Sequence, residues 1–212
     1  MRIGRVTFTM AVVLVALAAS GCSRKRYKIP SGAMFPTLAV GDHVTADTSV
    51  AVPTRGDVFV FLYPEHPEQS FVKRVVGLPG DRVEVAGQKL SINGRALDTC
   101  VVGHYGYAED DGTSHDGELV LENGGAATYL LFYDRSGGAD GSWIVSPGEY
   151  FVVGDNRNNS HDSRLWFGGR GGGVPAKLLQ GRVTAPTLAL PKGASGLEAS
   201  FAKCKKDLAV AP

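Results

Sequence analysis

The chain has 212 residues, and its 22 Lys and Arg residues nearly balance its 21 Asp and Glu residues. A net charge of +1 argues against a nucleic-acid-binding protein, because contacts with phosphates need a strong positive excess. Hydrophobic residues make up 43% of the chain, which excludes a disordered protein and suits one domain, or one with an insertion. Glycine is abundant, with 28 residues, and this favours a turn-rich β protein.

The first 22 residues have the architecture of an export signal. A short basic segment precedes an apolar run from Val6 to Ala19, and small residues then lead to Cys22. The run is shorter than the ~20 residues that comfortably span a bilayer, and its end resembles a bacterial lipoprotein box. We therefore expect either an acylated Cys22 or a membrane helix. Both place the remaining chain outside the cytoplasmic membrane, although positive charge, as in Arg24-Lys25-Arg26, prefers the cytoplasmic side.

Beyond Tyr27 the pattern predicts a series of strands separated by turns. Runs of β-branched and aromatic residues favour strands at 38–46, 55–62, 71–76, 82–85, 89–92, 143–145 and 150–153. Asn93-Gly94 is typical of a two-residue β-hairpin turn. Residues 103–142 are rich in Gly and Asp, with weak strands near 118–121 and 127–133, so we interpret them as an inserted subdomain or long loop. A short helical segment is expected near 175–180, and we expect residues 191–212 to be a poorly ordered tail.

Four short blocks concentrate the residues that are capable of chemistry. They are IPSGAMFPTL from Ile29, RGDVFVF from Arg55, FVKRVVGLPGD from Phe71 and GDNRNNSHDSR from Gly154. Their order and spacing resemble the bacterial signal peptidase I family, membrane-bound serine endopeptidases that remove signal peptides from exported proteins. The resemblance covers roughly 29–183. It implies a mainly β fold of coiled antiparallel sheets, with 23–102 and 143–190 as the core, 103–142 as a small inserted lobe and 1–22 as a signal or anchor.

The resemblance also implies catalytic roles for two positions. In the family, a serine directly before the Met of the first block attacks the scissile carbonyl, and the lysine of the third block accepts its proton. The lysine position is Lys73, which lies in an apolar run where desolvation favours the neutral, basic form. The nucleophile position is Ala33, whose methyl group cannot attack. By analogy with other serine proteases, this loss is expected to cost on the order of 10⁶ in kcat.

The supporting positions of the family are present. Ser31 corresponds to a hydroxyl that helps the backbone N–H of residue 33 to hold the oxyanion. Ser160 corresponds to a serine that orients the lysine. Two pairs are expected to support the site, Asp162 with Arg164 as an ion pair and Asp155 with Arg157 in the turn.

The expected partners are signal-peptide-like segments of exported proteins and membrane lipids. The resemblance implies that Met34, Pro36 and Leu38 shape the substrate cleft, where an extended peptide with small side chains lies along a sheet edge. The large side chains Phe35, Trp166 and Phe167 belong either to the core or to a surface that touches the membrane. No cofactor is expected, and the five histidines show no metal-ligand spacing.

Three functions stay open at this point. The chain is a degenerate peptidase that binds signal-like peptides, an active peptidase that uses another serine such as Ser31, or a structural envelope lipoprotein that binds no peptide. Ser31 lies two residues before Ala33, which on an extended chain moves a side chain by roughly 6–7 Å along one face. Catalysis tolerates less displacement than that. A Ser-His-Asp site is not expected, because His161 and Asp162 are adjacent and would point to opposite faces.

The three cysteines raise the question of pairing. If Cys22 is acylated, Cys100 and Cys204 are left as an even pair in an oxidising compartment, where a disulfide would pin the tail to the sheet domain. The sequence leaves this pairing open, since the Cα separation decides it.

Overall fold

The computed structural model describes residues 23–109, 112–134, 138–184 and 187–209. Cys22 and the apolar run before it lie outside the described residues. The strands are β1 Arg24–Lys28, β2 His43–Asp47, β3 Val58–Tyr63, β4 His66–Gly77, β5 Arg82–Ala86, β6 Lys89–Ile92, β7 Arg95–Ala96, β8 Asp98–Ala108, β9 Ser114–Asn123, β10 Thr128–Asp134, β11 Gly141–Ile144, β12 Glu149–Val153, β13 Val174–Pro175 and β14 Leu179–Val183. The helices are α1 Trp166–Gly169 and α2 Glu198–Ala209, and 3₁₀ turns lie at Gly32–Met34 and Ala176–Leu178.

The strands form three sheets, and every strand pair is antiparallel. The main sheet has seven strands in the order β1-β2-β14-β3-β4-β12-β13. A four-stranded sheet has the order β11-β5-β6-β7, and a three-stranded sheet, which we call the inserted sheet, has the order β10-β9-β8. The predicted mainly β fold of antiparallel sheets is confirmed.

The centre of the main sheet is formed by β3 and β4. Phe59, Val60 and Phe61 are fully buried, because β3 has neighbours on both sides and is covered on both faces. A strand that is buried on both faces has a continuous apolar sequence. This is why the sequence pattern predicts β3 well. The register of β3 and β4 pairs Phe59 with Lys73, so the lysine of the third block lies in the middle of this sheet.

The hairpin at Asn93-Gly94 is also confirmed. Both residues have positive φ, 53° and 79°, and Ile92 pairs with Arg95 across them. Type I′ turns need two such residues, and Asn-Gly meets this need at low steric cost. The turn joins β6 to β7 and closes the four-stranded sheet.

The inserted sheet is larger than the sequence predicts. The weak strands near 118–121 and 127–133 lie within β9 and β10, but β8 begins at Asp98, before the expected boundary at 103. The sequence pattern misses β8 because exposed and buried residues alternate irregularly along it. The irregularity has a structural cause, since the register with β9 shifts between Val101 and Gly103, and Gly103 has a φ of 151°.

The C-terminal segment differs from the poorly ordered tail that the sequence predicts. Glu198–Ala209 forms α2, and a disulfide joins Cys204 to Cys100 of β8, with 5.5 Å between the Cα atoms. Leu208, one turn further along, is 6% exposed and packs into the core of the inserted sheet. A covalent bond and an apolar contact therefore hold this helix. The Cys100–Cys204 pairing that the sequence left open is confirmed.

The large aromatic residues near the predicted site belong to the core. Phe35 is 9% exposed and stacks on Tyr107 with 4.0 Å between ring centroids. Trp166 is fully buried, and Phe167 packs partly buried against the same cluster. None of the helices in the described ranges is long and apolar enough to cross a membrane.

Candidate active-site cleft

The first block folds into a loop that turns sharply at Ala33. Ser31 has extended backbone angles, and the chain then enters the 3₁₀ turn Gly32–Met34, in which the Phe35 N–H donates to the Gly32 carbonyl over 2.9 Å. The chain from Ser31 to Ala33 is therefore not extended throughout, and the displacement calculated for an extended chain does not apply to it. Both residues line one cleft.

This cleft has a volume of about 490 Å³ and brings together residues that are far apart in the sequence. Ser31, Ala33 and Met34 come from the first block, and Lys73 comes from β4. The rim includes His161 of the fourth block. Three of the four blocks thus converge on one groove.

Lys73 has the surroundings that a general base needs. Its side chain is 5% exposed, and Nζ donates to the Val72 carbonyl over 3.1 Å and lies 5.2 Å from the centre of the Phe71 ring. Burial disfavours the ammonium ion and lowers the pKa of Lys73 to about 8, although Asp162 acts in the opposite direction. An amine with this pKa is partly neutral near pH 8 and can accept a proton.

The Asp162–Arg164 ion pair lies behind the cleft. Arg164 donates from Nε to Oδ1 and from Nη2 to Oδ2, both over 2.8 Å, and both side chains are at most 4% exposed. The Gly154 N–H also donates to Asp162 over 3.0 Å. Burial alone would raise the pKa of Asp162, but Arg164 and these hydrogen bonds outweigh it and hold the pKa below its usual range.

Ser160 is buried close to the Ala33 carbonyl. A side chain at Gly154 would collide with both the Ser160 Oγ and the Ala33 carbonyl oxygen, so the absence of a Cβ permits this close approach. No hydrogen bond joins Ser160 to Lys73 in the part of the chain that the structure describes, where the Lys73 amine bonds to Val72. That Ser160 orients Lys73 stays a prediction.

The turn residues Asp155 and Arg157 form ion pairs with other partners than each other. Arg74 donates to both carboxylate oxygens of Asp155, over 2.7 and 2.6 Å. Arg157 donates to Glu122 of the inserted sheet over 3.1 and 2.5 Å, and Glu122 is fully buried. No local sequence pattern marks Arg74 and Glu122 as supporting residues, because their partners lie 81 and 35 residues away.

Asn156 is a further residue that the sequence analysis missed, and it holds the first-block loop. Its Nδ2 donates to the Gly32 carbonyl over 3.1 Å, and its backbone N–H donates to the Ala33 carbonyl over 3.2 Å. The Ala33 N–H, by contrast, has no bonded acceptor among the described residues. That N–H is therefore left without a backbone or side-chain acceptor in this part of the structure.

The three predicted substrate-binding residues separate in the structure. Met34 is 2% exposed and lines the cleft. Leu38 is buried in the core of the main sheet, and Pro36 lines a different cavity together with Arg74. Of the three residues, Met34 alone lines this cleft.

His161 and Asp162 do lie on opposite sides of the chain. His161 is exposed at the rim, where its Nε2 is 2.9 Å from the Tyr63 hydroxyl, whereas Asp162 is fully buried. Tyr63 also donates to Glu65. Within the described ranges, no group of three or more His, Cys, Asp or Glu residues is arranged to hold a metal ion.

Fold and cleft together define a mainly β protein with a buried lysine in an open groove. The profile of the family "Signal peptidase, peptidase S26" matches residues 2–188. The chain therefore belongs to the signal peptidase family, peptidase S26.

Two signal peptidase I sequences agree with this assignment. Signal peptidase I of Pseudomonas aeruginosa is 38% identical over 174 residues, which are 73% of this chain and 60% of that protein. Signal peptidase I of Aquifex aeolicus is 31% identical over 206 residues, covering 81% of this chain and 78% of that protein. A crystal structure of a signal peptidase I from Enterococcus faecalis is 30% identical, covers 63% of this chain and 97% of that one, and has a TM-score of 0.37. The chain spans about 60% of the length of the Pseudomonas relative.

Proposed function

We propose that the chain is a signal-peptidase-like protein that binds extended, signal-peptide-like segments and has little or no peptidase activity. The observation that carries this proposal is the presence of Ala33 and Lys73 in one cleft. Lys73 is buried and easily deprotonated, but the nucleophile position offers no hydroxyl for it to activate. The family's activity, removal of signal peptides, needs that hydroxyl as the nucleophile.

Peptide binding does not depend on the lost hydroxyl. Among the described strands, β1 lies at the edge of the main sheet and pairs with β2 alone, so we infer that its other edge accepts an added strand. Tyr27 and Lys28 of β1 line the same cleft as Ala33. We infer that an extended peptide pairs with this edge and lays small side chains, as in an Ala-x-Ala sequence, over Ala33 and Met34.

The place of action that we propose is the outer side of a bacterial membrane. The export signal of residues 1–22 would supply either a lipid on Cys22 or a membrane helix as the anchor. The Cys100–Cys204 disulfide supports this location, because such bonds persist in oxidising compartments. Membrane lipids would then lie next to the folded domain.

The decisive experiment restores the hydroxyl. Ala33→Ser should gain cleavage of a signal-peptide substrate, measured by mass spectrometry of the products, since the proposal assigns the base to Lys73 and the oxyanion donor to the backbone of residue 33. The matched control is the double variant Ala33→Ser/Lys73→Ala, which should lose the gained activity. The proposal is wrong if the unmodified chain already cleaves the substrate as fast as Ala33→Ser does, with Lys73 required.

A second candidate function has one observation in its favour, since Ser31 lines the same cleft as Lys73. In this alternative the chain is an active peptidase with Ser31 as the nucleophile. A serine-reactive acylating inhibitor would then label the unmodified chain, and Ser31→Ala would remove the label. Absence of labelling would exclude this alternative.

A further inference from the structure

The end of the hairpin formed by β8 and β9 of the inserted sheet lies at the edge of the cleft. β8 and β9 pair along their length up to Ala108 and Ser114, and Glu109 follows directly after β8. The Glu109 N–H donates to the Thr113 carbonyl over 2.8 Å, and the Gly112 N–H donates to the Glu109 carbonyl over 2.9 Å. These two bonds fix the backbone of Glu109, whose side chain lines the same cleft as Ala33.

The Glu109 carboxylate lies against the first-block loop. A Cβ placed on Gly32 would be 2.7 Å from Oε1 of Glu109, so the missing side chain at Gly32 leaves room for the carboxylate. A stack of rings holds the hairpin there, since Tyr107 lies 4.0 Å from the Phe35 ring and 4.6 Å from the His115 ring, measured between centroids. The carboxylate is therefore placed one residue away from Ala33.

This carboxylate is not neutralised by a lysine or arginine in the described part of the chain. Its only ion-pair contact there is with His115, 3.3 Å from Nε2 to Oε1, and the Glu109 side chain is 22% exposed. Glu109 is also the one acidic residue among the described residues that line the cleft. The charge of Glu109 also affects Tyr107. Burial is the main cause that raises the pKa of Tyr107 to about 12, and the negative charge of Glu109 is the next.

We propose that Glu109 is a specificity residue, which makes the cleft prefer peptides with a Lys or Arg side chain within two residues of the small-residue stretch. This inference rests on the proposed peptide-binding function. A peptide laid over Ala33 passes within reach of Glu109, because Glu109 contacts the adjacent Gly32. A partly exposed carboxylate pairs favourably with a cationic side chain and repels an anionic one.

Peptides that differ in one charge test this inference on the unmodified chain. A labelled peptide with an Ala-x-Ala centre carries Lys, Gln or Glu at one position, which is moved from two residues before the centre to two residues after it. The dissociation constant is measured by fluorescence anisotropy. At the best position, Lys should bind about fivefold more tightly than Gln, and Glu more weakly, since a partly exposed ion pair contributes up to about that much. The preference should shrink at high salt.

Two variants and a control identify the residue responsible. Glu109→Gln should lose the preference for the Lys peptide over the Gln peptide, and Glu109→Lys should prefer the Glu peptide. Glu118→Gln removes an equal charge from an exposed position of the inserted sheet outside this cleft, and should change nothing.

The outcomes separate this inference from the function on which it rests. If the Gln peptide binds but the unmodified chain shows no charge preference, or the preference survives Glu109→Gln, the inference about Glu109 is overturned and the proposed function stands. If no peptide binds at all, both are overturned.

Discussion

Removal of the Cys100–Cys204 disulfide is expected to destabilise the protein strongly. The bond joins β8 to α2 across 104 residues of sequence. Without it the unfolded chain regains the entropy of an open loop, and for a loop of that length the difference is about 4.7 kcal/mol at 25 °C. For urea slopes of about 2–3 kcal/mol per molar, the unfolding midpoint of Cys100→Ala/Cys204→Ala should fall by roughly 1.6–2.4 M.

Urea unfolding followed by tryptophan fluorescence measures this shift, because Trp166 is fully buried against β3 of the main sheet. Far-UV circular dichroism in the same titration follows α2. The unmodified chain in reducing agent should behave like the double variant. A midpoint that falls by less than about 0.4 M, equivalent to about 1 kcal/mol, would show that the disulfide does not stabilise the protein through the loop entropy of the unfolded chain.

Two further predictions concern buried charges. Glu122→Ala leaves the Arg157 guanidinium buried without its carboxylate and should cost about 3–5 kcal/mol of unfolding free energy, whereas Glu84→Ala, which breaks a pair that is 55% and 35% exposed, should cost at most about 1 kcal/mol. Equal losses in urea unfolding would contradict the first prediction. The second follows from Lys73: the unfolded lysine keeps its proton up to its usual pKa of 10.5, but the folded one releases it at about 8. The unfolded state therefore binds more protons between these values, and the stability of the unmodified chain relative to Lys73→Met should rise with pH there, by up to about 1.4 kcal/mol per pH unit. A difference that stays flat from pH 7 to 10 would refute it.

The parts of the fold that the sequence predicts are those with local signals. β3 is buried on both faces and has a continuous apolar sequence. Asn93 and Gly94 are residue types that readily adopt the positive φ angles of their turn. β8 and α2 lack such signals. α2 is held by a disulfide and by contacts with β8, which lies about a hundred residues earlier. The sequence near residue 200 therefore does not show that this segment is packed against the inserted sheet.

The same distinction applies to the site. The family resemblance locates Ala33, Lys73 and the Asp162–Arg164 pair because they lie in recognisable blocks. It does not locate Glu122 or Glu109, which come from the inserted sheet, where no block of the resemblance lies. Their places at Arg157 and at Gly32 are set by long-range packing, which a single sequence does not display.

The contacts around Ala33 bear on the proposed loss of a nucleophile at this position. In the described part of the chain, the Asn156 N–H donates to the Ala33 carbonyl oxygen, and Gly154 and Ser160 lie close to that same oxygen. Replacing a serine hydroxyl by a hydrogen atom leaves each of these contacts unchanged. The loop can therefore keep its conformation, which is why a single added oxygen atom in Ala33→Ser is expected to restore chemistry without rebuilding the site.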